Sequence, residues 1–158
     1  MQLTRFTDYT LRVLISVGLS GERGVTIGEI ADQYGISRNH LMKVVHALGR
    51  TGYLDTLRGK GGGLRLAVPA EEINLGRVVR EAEGGFTIVP CFDRDNPEMC
   101  TIAPVCVLKG VLRDALQSFL DVLDRYSLAD LLGPKASLQK LLSKAAPPSD
   151  GARRRAAR

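Results

Sequence analysis

The chain has 158 residues, 44% hydrophobic and 25% charged, the composition of one ordinary folded domain with an extension. No apolar run approaches the roughly 18 to 20 residues that a membrane helix needs, and Met1 opens no signal peptide, so a cytoplasmic protein without a membrane partner is expected. The net charge of +5 is uneven: residues 1–80 hold 11 basic and 7 acidic side chains, residues 81–146 hold 7 and 9, and residues 147–158 hold 4 and 1. A basic first half suits a polyanion partner, and the acidic second half does not.

From Leu3 to Leu19, the residues Leu3, Phe6, Thr10, Val13, Leu14 and Val17 recur at helical spacing and predict an amphipathic helix that Gly21 and Gly24 end. Thr26-Ile27-Gly28-Glu29 has the pattern of a capping box and starts a short second helix, broken at Gly35. Ser37 is a natural N-cap for a third helix over 38–50, with Leu41, Val44, Val45 and Leu48 on one face. Two helices joined by a tight glycine turn predict a helix-turn-helix. Residues 53–58 and 64–68 then read as strands joined across Gly59-Lys60-Gly61-Gly62-Gly63, which makes a wing.

Residues 75–82 predict a short helix ending at Gly84-Gly85, and 86–104, with three prolines and no period, predict a loop. Between Val105 and Tyr126, Leu108, Val111, Leu112, Ala115, Phe119, Val122 and Leu123 form an apolar stripe on a long helix. So small a chain offers that stripe few partners, so a second copy is its expected mate. Ser127 caps a last short helix over 128–132. The expected fold is therefore mainly α with a small β-hairpin wing. It comprises a winged helix-turn-helix over 1–80, a cysteine-bearing loop region over 81–104 and a dimerisation helix with a short terminal helix over 105–133. A C-terminal tail covers 134–158, its Pro, Gly, Ala and Arg composition predicting disorder from 147.

The recognition helix opens with Ser37, Arg38, Asn39 and His40, followed by Lys43. Its first turn is the part that enters the major groove of double-stranded DNA, where Arg reads guanine and Asn reads adenine. On the wing, Arg58, Lys60 and Arg65 surround the glycines, which let the backbone approach while the cations meet phosphates or the minor groove. A nucleotide-binding loop is excluded there, because no Lys-Ser/Thr ending and no helix N-terminus follow. No catalytic dyad or cofactor loop points to an enzyme.

All three cysteines, Cys91, Cys100 and Cys106, fall within one short stretch. In a reducing compartment a confined set favours metal or redox chemistry over structural disulfides. Zinc sites use paired knuckles and a fourth Cys or His, and no His lies beyond position 46. Iron–sulfur clusters accept wider spacings. Bare thiols that oxidise to a disulfide, incidental thiols and a structural zinc stay open as alternatives on spacing alone.

Several stretches together resemble one family, the winged-helix iron–sulfur transcription regulators, and within it the nitric-oxide-sensing repressors. They are Leu3-Thr4-Arg5-Phe6-Thr7-Asp8-Tyr9, Ser37-Arg38-Asn39-His40, Arg58-Gly59-Lys60-Gly61-Gly62-Gly63 and Cys100-Thr101-Ile102-Ala103-Pro104-Val105-Cys106-Val107-Leu108-Lys109. Gln117-Ser118-Phe119-Leu120 and Tyr126-Ser127-Leu128-Ala129-Asp130-Leu131 extend the likeness over roughly residues 1–133. The resemblance implies a homodimer through the long helix and an iron–sulfur cluster on the three cysteines, [4Fe-4S] favoured over [2Fe-2S]. It implies a carboxylate ligand near the N-terminus of the other subunit, and Asp8 holds the matching position. Without the resemblance, Asp8 reads as a first-turn carboxylate favoured by the helix dipole.

The resemblance further implies repression of operator DNA that nitric oxide relieves, inducing nitric oxide detoxification genes. A cluster bridging the first helix of one copy and the loop of the other would fix the spacing of the two recognition helices. Two departures stand out. One branch of the family has a His shortly after the last cysteine, where this chain has Lys109. The first cysteine gap is also long, which leaves the cluster's nuclearity open and makes Asp93, Asp95 and Glu98 alternative oxygen ligands. A regulator of the same fold sensing thiol oxidation or iron–sulfur status is the other reading.

Overall fold

Thr4 stops short of helical geometry, and its hydroxyl accepts a hydrogen bond from the Thr7 amide at 3.2 Å. The first helix, α1, therefore runs Arg5–Ser20, two residues later than its apolar pattern suggests. The computed structural model describes residues 2–57, 59, 62–92 and 100–145. Arg58, Lys60, the loop carboxylates Asp93, Asp95 and Glu98, and the tail from 147 lie outside the described residues.

The expected capping box starts α2 (Ile27–Tyr34): the Glu29 amide donates to Thr26 Oγ1 at 3.1 Å, and the Thr26 amide to Glu29 Oε2 at 2.8 Å. That backbone bond from Thr26 is the main cause holding the Glu29 carboxyl below its ordinary value, against its partial burial. Gly35 turns the chain with φ at +64°, a left-handed conformation that glycine takes without strain. Ser37 then caps α3 (Arg38–Arg50). The hairpin follows as β1 (Leu54–Leu57) and β2 (Gly63–Leu66), antiparallel with Leu54 opposite Leu66 and Thr56 opposite Leu64. Val25 and Leu64 exchange backbone hydrogen bonds of 3.1 and 2.8 Å, so the segment leading into α2 pairs with β2 on its side away from β1.

Asn74 caps α4 (Leu75–Glu83), and α5 (Val107–Asp124) and α6 (Leu128–Leu131) complete the expected series. The end of α5 is tied back to the first half of the chain. Arg80 holds Asp124 through two 2.6 Å bonds, Asn74 Nδ2 donates to the Asp124 carbonyl at 2.7 Å, and the Leu128 amide donates to Ile73 O at 2.8 Å. Gly76 makes this clasp fit, because a β carbon there would overlap the Asp124 carboxylate. The core forms where α1 meets the other elements: Val13, Leu14 and Val17 pack with Ile30, Leu41, Val44, Leu64 and Leu128, all buried. Truncating Leu14 to Ala should cost about 2 to 5 kcal/mol.

The stripe on α5 divides between two faces. Leu116, Phe119, Leu120 and Leu123 are buried or half-buried, and α5 packs on α4. Leu108 (59% exposed), Val111 (56%) and Val122 (46%), with Ala115, form a second row at helical spacing that stays open to solvent. An addition to the expected elements is α7 (Lys135–Ala145), a helix within the stretch read as tail. Its apolar pattern is weak, with Leu138 and Leu142 half-buried, and it packs on α2. No described helix is long and apolar enough to cross a membrane.

Candidate nucleic-acid interface and metal centre

Ser37, Arg38, Asn39, His40 and Lys43 all stand exposed at the start of α3. Buried Leu41, Val44 and Leu48 hold the opposite face of the helix in the core, which fixes the direction in which the polar turn points. Arg38 lies along the first turn of α2: a β carbon on Gly28 would come within 3.4 Å of its Nη2. His40 Nδ1 hydrogen-bonds with Ser37 Oγ at 3.1 Å, and its ring lies 6.1 Å from that of Tyr9 on α1. The Tyr9 contact is not readable from local sequence, since a separation of about thirty residues carries no periodic signal.

On the wing, Arg65 faces Asp55 across the strands with Nη2 to Oδ2 at 3.4 Å, an exposed pair of small energetic weight. At the tip, Gly59 has φ at +103°, and a β carbon on Gly62 would strike the Leu57 carbonyl, so neither position suits a larger residue. The structure thus places Arg65, Gly62 and Gly63 on the hairpin that packs against α1 and α3, while Arg58, Lys60 and Gly61 fall among the residues it does not describe.

The three cysteines sit on three separate local features. Cys91 lies in a single turn over Pro90–Phe92, Cys100 precedes another over Ala103–Val105, and Cys106 is the residue at which α5 begins. All three thiols are unbonded to one another and line one open hollow of about 520 Å³, with Ile102, Leu108 and Lys109 among its walls. Among the described residues no three of His, Cys, Asp and Glu converge on one point as a single ion requires. The donor set is nonetheless soft and anionic when ionised. It lies at the N-terminal end of an 18-residue helix with no acidic residue in its first turn, which favours negative charge.

Asp8 does not line this hollow. It sits in the first turns of α1, half exposed, where Arg12 Nε donates to its Oδ1 at 2.9 Å, and the Arg12 guanidinium lies 5.3 Å from the centre of the Tyr34 ring. One protomer therefore offers three thiols in one place and the carboxylate in another. The start of α1 is anchored near the root of the cysteine loop, since the Thr4 amide donates to Glu83 Oε1 at 2.8 Å just before Gly84-Gly85.

A helix-turn-helix with an exposed polar recognition turn, a glycine-tipped wing and a thiol-lined hollow define a winged-helix transcriptional regulator rather than an enzyme. Residues 3–134 match the Rrf2 family, described as Iron-dependent Transcriptional regulator, and the chain belongs to that family. It is 52% identical over 144 residues to the HTH-type transcriptional regulator NsrR of Bacillus subtilis (strain 168), covering 90% of this chain and 97% of the relative. The protein of that name from Geobacillus kaustophilus (strain HTA426) is 49% identical over 143 residues, with the same coverage of 90% and 97%. Among solved structures, Staphylococcus aureus CymR superposes with a TM-score of 0.67 at 27% identity, over 82% of this chain and 97% of that one. T. potens IscR matches in fold, with a TM-score of 0.67 at 24% identity over 84% and 86% of the two chains.

Proposed function

We propose that this regulator is a homodimeric, nitric-oxide-responsive repressor of operator DNA. It holds an iron–sulfur cluster, in the [4Fe-4S] form, on Cys91, Cys100 and Cys106, with Asp8 of the partner subunit as the fourth ligand. The observation that carries this reading is the grouping of three unpaired thiols around one hollow, in a chain about half identical to NsrR proteins. Sulfurs that line a hollow without meeting at a point suit a cluster, which gives each thiolate its own iron, better than one zinc ion.

When bound, the cluster supplies an iron whose carboxylate ligand is more exchangeable than its thiolates and which a diatomic can reach. The chain's own residues convert that into a change at DNA. Arg12 holds Asp8 through Oδ1, and Tyr9, the next residue, packs beside His40 in the first turn of α3. A pull on the first turns of α1 is therefore felt where α3 meets the groove. Since a dimer reads two half-sites about one helical turn apart, a small change in the relation of α1 to α3 alters the fit of both.

The test uses protein purified and reconstituted without oxygen and a duplex selected by that protein from random sequence. Retardation assays follow binding with the cluster loaded, after removal of iron, and during stepwise nitric oxide addition. Loaded protein should bind tightly and lose the duplex as nitric oxide is added. Equal affinity of loaded and iron-free protein at matched salt overturns the proposal.

A further inference from the structure

Helix α7 lies beyond the stretch matched to the family, which ends at residue 134. It carries Lys135, Lys140 and Lys144 and no acidic residue. Its half-buried Leu138 and Leu142 dock it, Gln139 Nε2 donates to the Leu19 carbonyl at 3.0 Å, and it packs directly on α2. Gln139, Leu142 and Ser143 share a hollow of about 330 Å³ with Ser20, Arg23 and Val25, the segment that leads into α2. In a helix-turn-helix, this first helix of the pair crosses the phosphate backbone while the second enters the groove.

Lys140 and Lys144 stand one turn apart and exposed, away from the docked residues. Like charges at this spacing oppose helix formation slightly, and no carboxylate on α7 offsets them. Two cations on the outer face of a helix docked against the phosphate-crossing helix suit an anionic partner. We propose that α7 is an auxiliary phosphate-binding helix, with Lys140 and Lys144 meeting the backbone of duplex DNA that flanks the sequence read by α3. The inference rests on α2 and α3 being the DNA-facing pair. Duplex phosphate is favoured over an acidic protein because residues 146–158 add Arg153, Arg154, Arg155 and Arg158 against one Asp150, with no apolar side chain larger than Pro. Protein interfaces need apolar or aromatic anchors, whereas repeated charge alone suits phosphate.

The experiment compares the full chain with its Lys140→Gln/Lys144→Gln variant, on the selected operator and on an unrelated duplex, across a salt series. For every phosphate the variant no longer neutralises, the slope of log affinity against log salt should fall by about 0.9, or roughly 2 to 4 for the two protomers of a dimer. Both duplexes should lose affinity by the same factor, so that operator preference stays constant. An unchanged slope overturns the inference, and so does a loss confined to the operator. Asn39→Ala, run alongside, separates the two readings. If it erases operator preference while the lysine variant behaves as the parent, only the α7 inference fails; if it leaves preference intact, the DNA-facing role of α3 fails first.

Discussion

Tyr53 is buried, with a relative exposure of 6%, and its hydroxyl has no hydrogen-bond partner among the described residues. Burial pushes its phenol up to about 12, and the neighbouring Glu81 carboxylate adds to the shift through its charge rather than through a formed bond. An unfolded tyrosine ionises near 10, so between about 10 and 12 the unfolded chain loses its proton while the folded one keeps it. The stability involved is fully present below pH 10 and lost as pH rises toward 12, at most about 2 to 3 kcal/mol. Urea unfolding at pH 9 and pH 11 should show a steeper loss for the parent than for Tyr53→Phe, and equal losses would refute the assignment. Asp8 poses the opposite case, a polar residue with little structural weight. Its exposed pair with Arg12 is worth about 0 to 1 kcal/mol, so Asp8→Ala should leave the melting temperature nearly unchanged. If the carboxylate is a cluster ligand, that variant retains some cluster but shows an altered visible spectrum and weakened control of DNA binding by nitric oxide. An unchanged spectrum together with an unchanged response would remove Asp8 from the site.

Elements differ in how openly they announce themselves. α2 and α3 are legible in the sequence because their signals are local: Thr26 with Glu29, Gly35 and Ser37 each act within four residues of the backbone groups they satisfy. The wing is legible for the same reason, through its glycines. α7 is not, because its apolar pattern is short: Leu138 and Leu142 are half-buried where it packs on α2, and a contact so distant in sequence leaves no local signal. The site divides in the same way. The three cysteines stand out by their confinement to one stretch, but the hollow they share is made by irregular turns that carry no period. The pairing of Tyr9 with His40 and the split of the α5 stripe are products of tertiary packing and have no local signal. For α3 itself, the proposed DNA contact divides reading from holding among the exposed side chains of its first turns. Arg38→Ala should cost about 1 to 3 kcal/mol on the preferred duplex and relax the base preference at one position. Lys43→Ala should weaken every duplex alike and lower the salt slope by about 1. Binding measured on a panel of single-base operator variants at two salt concentrations distinguishes these outcomes, and identical profiles for both variants would contradict the division of roles.

At the scale of the whole molecule, the row Leu108, Val111, Ala115 and Val122 on α5 determines whether one chain suffices. Leu108 and Val111 are more than half exposed, and Val105 and Val107 just before them are 81% and 79% exposed, an apolar strip too continuous for a solvated helix face. The clasp of Arg80 on Asp124 holds the far end of α5 to its own domain, so the strip is presented by a fixed support. On the proposed reading, burying it against a second copy must also bring the partner's α1 within reach of the cysteine loop, since Asp8 does not line that hollow within one protomer. Dimer formation and completion of the metal centre are one event on that reading, so a change that breaks the first should spoil the second. Val111→Glu/Val122→Glu removes no core side chain and none that lines the cysteine hollow, so each protomer should keep its helical circular dichroism. Desolvating two carboxylates per chain across the seam should nevertheless abolish pairing. Sedimentation equilibrium should report a monomer of 17.1 kDa, tight binding to a two-half-site duplex should be lost, and reconstituted cluster should survive less well than in the parent. A variant that still sediments as a dimer would place the interface elsewhere on the surface, and a monomer with an undiminished cluster would show that one chain supplies every ligand.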